Sequence, residues 1–110
     1  MGTRDLLASV PTGKIYVDLS STNLDTSSWT TLSSSLPASC TAISVAYTGE
    51  GILKLAKGAA ASESELPLYL TPGMRGDVLI PLNLARATRL SAKCEDQAVT
   101  SGVLVINLYG

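Results

Sequence analysis

Apolar residues recur at every second position along this chain, in short runs separated by Gly, Pro, Ser, Thr and Asp. Alternation of this kind marks strands with one buried face. The clearest run closes the sequence. Val103, Leu104, Val105, Ile106, Leu108 and Tyr109 sit between Gly102 and Gly110 without a single charge. Exposed strand edges are normally blunted by charge, so this strand is expected at the centre of a sheet or beneath another chain. Further upstream, residues 14–19 place Ile15, Val17 and Leu19 on one side, with Tyr16 and Asp18 on the other. A short strand is predicted over 29–32, after a polar loop at 20–28. A third covers 40–48, with Ile43, Val45 and Tyr47 alternating against Ala42, Ser44 and Ala46. The sequence Thr48-Gly49-Glu50-Gly51 reads as a hairpin turn leading to a fourth strand, 52–57. Residues 58–65 read as a loop. The fifth strand, 66–70, is placed near an edge because Pro67 cannot donate to a ladder. A turn at Thr71-Pro72-Gly73 precedes a sixth strand, 77–82, interrupted by Pro81.

The segment 83–97 reads two ways. Leu84, Ala87, Leu90 and Cys94 fall at helical spacing, while Leu90, Ala92 and Cys94 alternate against Arg89, Ser91 and Lys93. The strand reading, 88–94, is favoured, although Ala, Leu and Arg are strong helix formers. With 103–109 the total is about eight strands joined mostly by short connections. That pattern predicts an all-β, single-domain β-sandwich of the jelly-roll type. Residues 1–13, broken by Pro11 and Gly13, read as an N-terminal arm, and residues 14–110 as the sandwich domain.

Composition sharpens this picture. In 110 residues there is no Phe and one Trp, so the core must be built from Leu, Ile, Val and Ala. Charged residues make up 15%, against roughly 25% in typical soluble domains, and Ser and Thr fill the polar positions instead. The net charge is −1, and the Lys and Arg residues are scattered among Asp and Glu. Nucleic-acid backbones demand clustered cations, so no nucleic-acid partner is expected. No apolar run approaches the roughly 20 residues that span a bilayer, and Leu6-Leu7-Ala8 is too short for a signal-peptide core. No membrane association is expected, and synthesis is expected in the cytoplasm.

Catalytic chemistry finds little to work with. The chain has no His, which excludes Ser–His and Cys–His pairs. Glu95-Asp96 and Glu63 with Glu65 are the close carboxylate pairs, and nothing apolar flanks them to separate their pKa values. No catalytic residue, cofactor or metal is therefore expected. Asn23 and Asp25 lie in a loop without the calcium-binding pattern, and read as solvated. Cys40 and Cys94 read as two small buried hydrophobes in preference to a disulfide.

Three features bear on binding. Arg75-Gly76-Asp77 spells the tripeptide that adhesion receptors read, and it is also an ordinary turn into a strand. Tyr16, Trp29, Tyr47, Tyr69 and Tyr109 are spread over five strands. If they build a sugar-binding platform, Trp29 in its hydroxyl-rich surroundings is its centre. The arm carries Leu6, Leu7 and Val10, apolar residues suited to lying on a neighbour or adding a strand to its sheet.

The arm Thr3-Arg4-Asp5-Leu6-Leu7, the Ser/Thr-rich loop 20–28 and the terminal strand 103–109, on one jelly-roll-sized domain, resemble the small capsid cement, or decoration, proteins of tailed bacteriophages. The resemblance extends over the whole chain in a general way and carries no diagnostic motif. It implies a virion structural protein on the outer surface of an icosahedral capsid, reinforcing contacts between major capsid subunits. It implies as partners the major capsid protein and further copies of the chain itself, with a dimer favoured over a trimer. The arm residues Leu6, Leu7 and Val10 are the expected partner contacts. The alternative is a carbohydrate-binding or adhesion module, including a phage tail or fibre component, centred on Trp29.

Overall fold

Each alternating run that can turn an apolar side inward does so. The computed structural model describes residues 11–59, 61–85 and 89–110. It contains β1 (Gly13–Asp18), β2 (Thr30–Ser33), β3 (Ala42–Tyr47), β4 (Leu53–Lys57), β5 (Ser64–Leu70), β6 (Met74–Arg75), β7 (Ile80–Pro81), β8 (Leu90–Cys94) and β9 (Val103–Tyr109). All pairings are antiparallel. One sheet runs β1-β9-β3, with β6 and β7 both on the far side of β3. The other runs β2-β8-β4-β5. β6 and β7 act as two halves of one interrupted strand. Counted so, the described residues form eight strands, and the chain changes sheet between every consecutive pair except β4 and β5. This is the strand order of a jelly roll, the expected β-sandwich.

The core is the aliphatic one that composition requires. Ile15, Val17, Ile43, Val45, Leu104, Ile106 and Leu108 from the first sheet meet Leu53, Leu55, Leu66, Leu70, Leu90 and Ala92 from the second. β9 lies between β1 and β3, paired along its whole length on both sides. A charge-free strand is stable there because both rows of its backbone groups are bonded. Leu104 and Ile106 are fully buried. β5 is an edge strand, as Pro67 requires. Cys40 and Cys94 are both free and buried, as the hydrophobe reading expected.

Four expectations need correction. Residues 48–51 are not a hairpin, because β3 and β4 belong to different sheets. The turn instead carries the chain over the top of the sandwich, where the Tyr47 hydroxyl donates to the Gly51 carbonyl. A Cβ on Gly49 would collide with the Tyr47 ring, so only Gly fits under that arch.

The sixth strand, 77–82, survives only at its end. Between the Ala46–Arg75 and Ile43–Ile80 pairs, two residues of β3 face four residues, 76–79. The excess loops out, with Gly76 at φ 76°. It folds Leu79 over the outside of the first sheet against Ala42 and Tyr109.

Within 83–97 the favoured strand is present as β8, but it starts at Leu90; Arg89 precedes it, and Thr88 lies outside the described residues. The alternation decides: Leu90, Ala92 and Cys94 all face the core.

Finally, the loop 20–28 is not wholly solvated. Leu24 is fully buried and bridges Val99 through two reciprocal backbone hydrogen bonds of 2.9 Å.

Candidate interaction surfaces

The outer face of β2-β8-β4-β5 carries two of the five aromatic residues, Trp29 and Tyr69. Register places Lys93 opposite Lys54, and Lys54 opposite Tyr69. Trp29, just before β2, extends that row on the far side: the Lys93 Nζ stands 4.7 Å from the centroid of its ring. Two aromatic side chains thus bracket two lysines across three strand spacings, about 14 Å. Tyr69 is 53% exposed, and Trp29 is half-buried. Lys54 is held by Glu95 at 2.9 Å and Glu65 at 3.8 Å. Its hydrogen bond to Glu95 raises its pKa. The remaining tyrosines go elsewhere. Tyr16 points outward from the other sheet, while Tyr47 and Tyr109 are buried. Of the five aromatic residues, Trp29 and Tyr69 are thus the two on this face.

Below that row, Thr31, Ser91, Ala56 and Glu65 lie side by side. Arg89 ties this region together: its Nε donates to Thr31 Oγ1 at 2.7 Å and its Nη1 to Glu63 at 3.0 Å. The guanidinium thereby links β2 to the start of β5 across the two strands between them. Ser91 and Ala56 are fully buried although they sit on the outward side. The Ser91 Oγ has no hydrogen-bond partner. Glu63 is held below the usual carboxylate range, first by its own backbone N–H and then by Arg89.

Arg75-Gly76-Asp77 lies at the break between β6 and β7. Arg75 and Asp77 are exposed, and Val78 beside them is 62% exposed. A cavity of about 280 Å³ opens at this break, lined by Val45, Met74, Arg75, Asp77 and Ile80 among others. Arg75 is the last paired residue of β6, and Gly76 and Asp77 begin the looped-out part.

The carboxylates organise loops. Asp18 accepts from the Ser20 hydroxyl at 2.7 Å and the Ser20 N–H at 3.1 Å. Asp25 accepts from the N–H groups of Ser28 and Ser27. Glu50 accepts from those of Thr100 and Ser101, and Asp96 from that of Ile52. These bonds favour the ionised form, so Asp18, Asp25 and Glu50 all have lowered pKa values. A general acid at neutral pH needs the opposite shift. Burial pushes both thiols up, which disfavours the nucleophilic thiolate. Among the described residues no group of three or more potential ligands could hold a metal ion. In the Asn23–Asp25 loop, the Asp25 carboxylate is already engaged by serine donors. No helix among the described residues is long and apolar enough to cross a membrane.

Leu6, Leu7 and Val10 lie outside the described residues. The described chain begins beside β9: the Thr12 N–H and hydroxyl both donate to the Leu108 carbonyl, at 2.8 and 3.1 Å. A groove of about 400 Å³ adjoins this point, lined by Thr12, Lys14, Ser33, Leu36 and Pro37 among others. The alternation had already placed Tyr16 and Asp18 on the outer side of β1. It held no sign that β1 is an edge strand, because strand order is a property of the whole fold.

No family model, curated protein or solved structure matches this chain.

Proposed function

We propose that this protein is a virion structural component that binds the outside of an icosahedral phage capsid and reinforces contacts between major capsid subunits. The observation that carries the reading is where the polar groups go. Asp18, Asp25, Glu50, Glu63 and Asp96 accept from backbone N–H groups, Ser hydroxyls or Arg89, and Glu95 from Lys54; Asp18, Asp25, Glu50 and Glu63 are thereby held ionised rather than poised to transfer protons. What remains is an aliphatic sandwich with hydroxyl-rich connections and, at 15% charged residues, less charge than usual to desolvate on docking. Such a body suits a mechanical role.

The energetics favour that role. A ligand that binds only the assembled shell stabilises it by mass action. Each additional 1.4 kcal/mol or so per contact is about tenfold in affinity, and many copies bridging several subunits multiply the effect. The partners in this reading are the major capsid protein and further copies of the chain, as a dimer in preference to a trimer. The location is the capsid surface, and the arm with Leu6, Leu7 and Val10 supplies the grip.

The test is co-sedimentation with capsids. The full chain is expected to pellet with particles. A variant starting at Pro11 should keep its circular dichroism spectrum and bind at least tenfold more weakly. Equal binding of the two would remove the arm from the reading, and absence of the full chain from the pellet would end it.

One observation favours a second reading, a carbohydrate-binding or adhesion module: Trp29 and Tyr69 share one open face.

A further inference from the structure

The sandwich has four strand edges, and three are blunted. β2 has four residues and a register shift between Thr31 and Ser33. β5 carries Pro67 and an irregular register, with three of its residues, 66–68, facing one of β4. The β6–β7 edge is split by the four looped-out residues. These are established ways of preventing one sheet from pairing with another. β1 has none of them. It makes six consecutive pairs with β9, and among the described strands β9 is its one ladder partner.

We infer that β1 is a docking edge for a second copy of this chain, paired antiparallel about a two-fold axis through Tyr16. The inference deepens the homo-oligomer part of the proposed function and rests on it.

The backbone sets the register. Leu19 donates to the Gly102 carbonyl at 2.9 Å, and the pairs Val17–Leu104, Ile15–Ile106 and Gly13–Leu108 continue in that phase. In an antiparallel ladder the alternate residues point their backbone groups the other way. Those of Lys14, Tyr16 and Asp18 therefore face the open edge. The Asp18 carbonyl already accepts from Ser21 and Thr22 at 3.1 and 2.9 Å. Four inter-copy bonds remain: each Tyr16 N–H to the other Tyr16 carbonyl, and each Asp18 N–H to the other Lys14 carbonyl.

The side chains agree with that register. Lys14, Tyr16 and Asp18 are exposed and share the outward face of β1, and Tyr16 is 63% exposed. About a two-fold through Tyr16, Lys14 of each copy stands opposite Asp18 of the other, and the two tyrosines face each other. Directly opposed residues approach within about 5 Å, where unlike charges attract and aromatic pairs pack. An edge protected by charge would present like charges to its own copy; this one presents unlike charges at both ends. The contact is isologous, so it closes at two copies instead of growing into a fibre. Joining the edges makes one continuous sheet, β3-β9-β1-β1-β9-β3, across the dimer. The ladder is short, so the pair is expected to be weak in free solution and reinforced where a surface holds copies side by side.

The test combines analytical ultracentrifugation, through the high micromolar range, with hydrogen exchange of the full chain. The wild type is expected to show a monomer–dimer equilibrium in which the Tyr16 and Asp18 amides gain protection as concentration rises. Lys14→Asp places Asp opposite Asp and should weaken dimerisation at least tenfold. Asp18→Lys should do the same, and mixing the two variants should restore a dimer, since each then complements the other. Asp18 also holds the turn at Ser20, and a circular dichroism spectrum unlike the parent's would mark an Asp18→Lys chain that fails to fold. In that case Lys14→Asp and the amide protection decide, as Lys14 is an exposed side chain outside that turn. A wild type that stays monomeric throughout overturns the homo-oligomer reading together with this one. A wild type that dimerises with unchanged exchange at Tyr16, or with Lys14→Asp as tight as the parent, overturns the β1 assignment alone.

Discussion

Tyr47→Phe probes the arch that carries the chain from one sheet to the other. Tyr47 is fully buried, and its hydroxyl donates to the Gly51 carbonyl, which is also buried. The substitution keeps the ring and removes one oxygen, so little cavity forms. It does leave a buried carbonyl without its donor, at a cost of about 1–3 kcal/mol. Alkaline pH supplies a second, independent magnitude. Burial pushes the Tyr47 phenol from 10.0 up to about 12. A raised acid is harder to ionise in the folded state than in the unfolded one. Its contribution to stability is therefore intact below pH 10 and is lost as pH rises from 10 to 12. At about pH 11 the unfolded chain is mostly ionised at this position and the folded chain mostly is not, which costs about 1.4 kcal/mol. Phe has no such proton to lose. The stability gap between wild type and variant should thus shrink by about 1.4 kcal/mol between about pH 7 and pH 11. Urea unfolding followed by circular dichroism at the two pH values measures it. An unchanged gap would refute the link between the buried hydroxyl and the alkaline loss of stability.

Two further outcomes are expected. Glu50 has a pKa lowered from 4.5 by the N–H groups of Thr100 and Ser101, so its contribution is present above 4.5 and lost as pH falls through the folded value. Glu50→Gln should be less stable than wild type at neutral pH and show a flatter acid limb in a pH series of unfolding midpoints; an identical limb would contradict the assignment. Trp29→Ala removes the contact with Lys93, worth about 0.5–1 kcal/mol at an exposed site. Under the carbohydrate reading, glycan-array signals of the wild type disappear in this variant and in Tyr69→Ala, and an array with no signal for the wild type retires that reading.

Much of the architecture was legible as pattern. The alternation in 14–19, 52–57 and 103–109 marked strands within a residue or two, because a half-buried strand must alternate. The absence of charge in β9 foretold its central place, and Pro67 foretold an edge. The misreadings share one cause. Thr48-Gly49-Glu50-Gly51 has hairpin chemistry, but a glycine-rich turn also suits a crossing between sheets, and only the packing of Tyr47 against Gly49 distinguishes them. In 77–82 the local pattern carried no record that four residues would face two of β3.

The candidate surfaces divide in the same way. That Lys14, Tyr16 and Asp18 share one side of a strand follows from spacing alone. That this strand is the one unblunted edge follows only from the order of strands in the sheet, which long-range pairing decides. Likewise, Arg89, Thr31 and Glu63 lie far apart along the chain and meet because β2, β8, β4 and β5 lie side by side. Composition and periodicity thus determined an aliphatic sandwich with hydroxyl-rich connections, since those depend on neighbours along the chain. The tertiary structure decided which strands end a sheet, which aromatic residues share a face and which carboxylates meet cations, since those depend on contacts between residues distant in sequence.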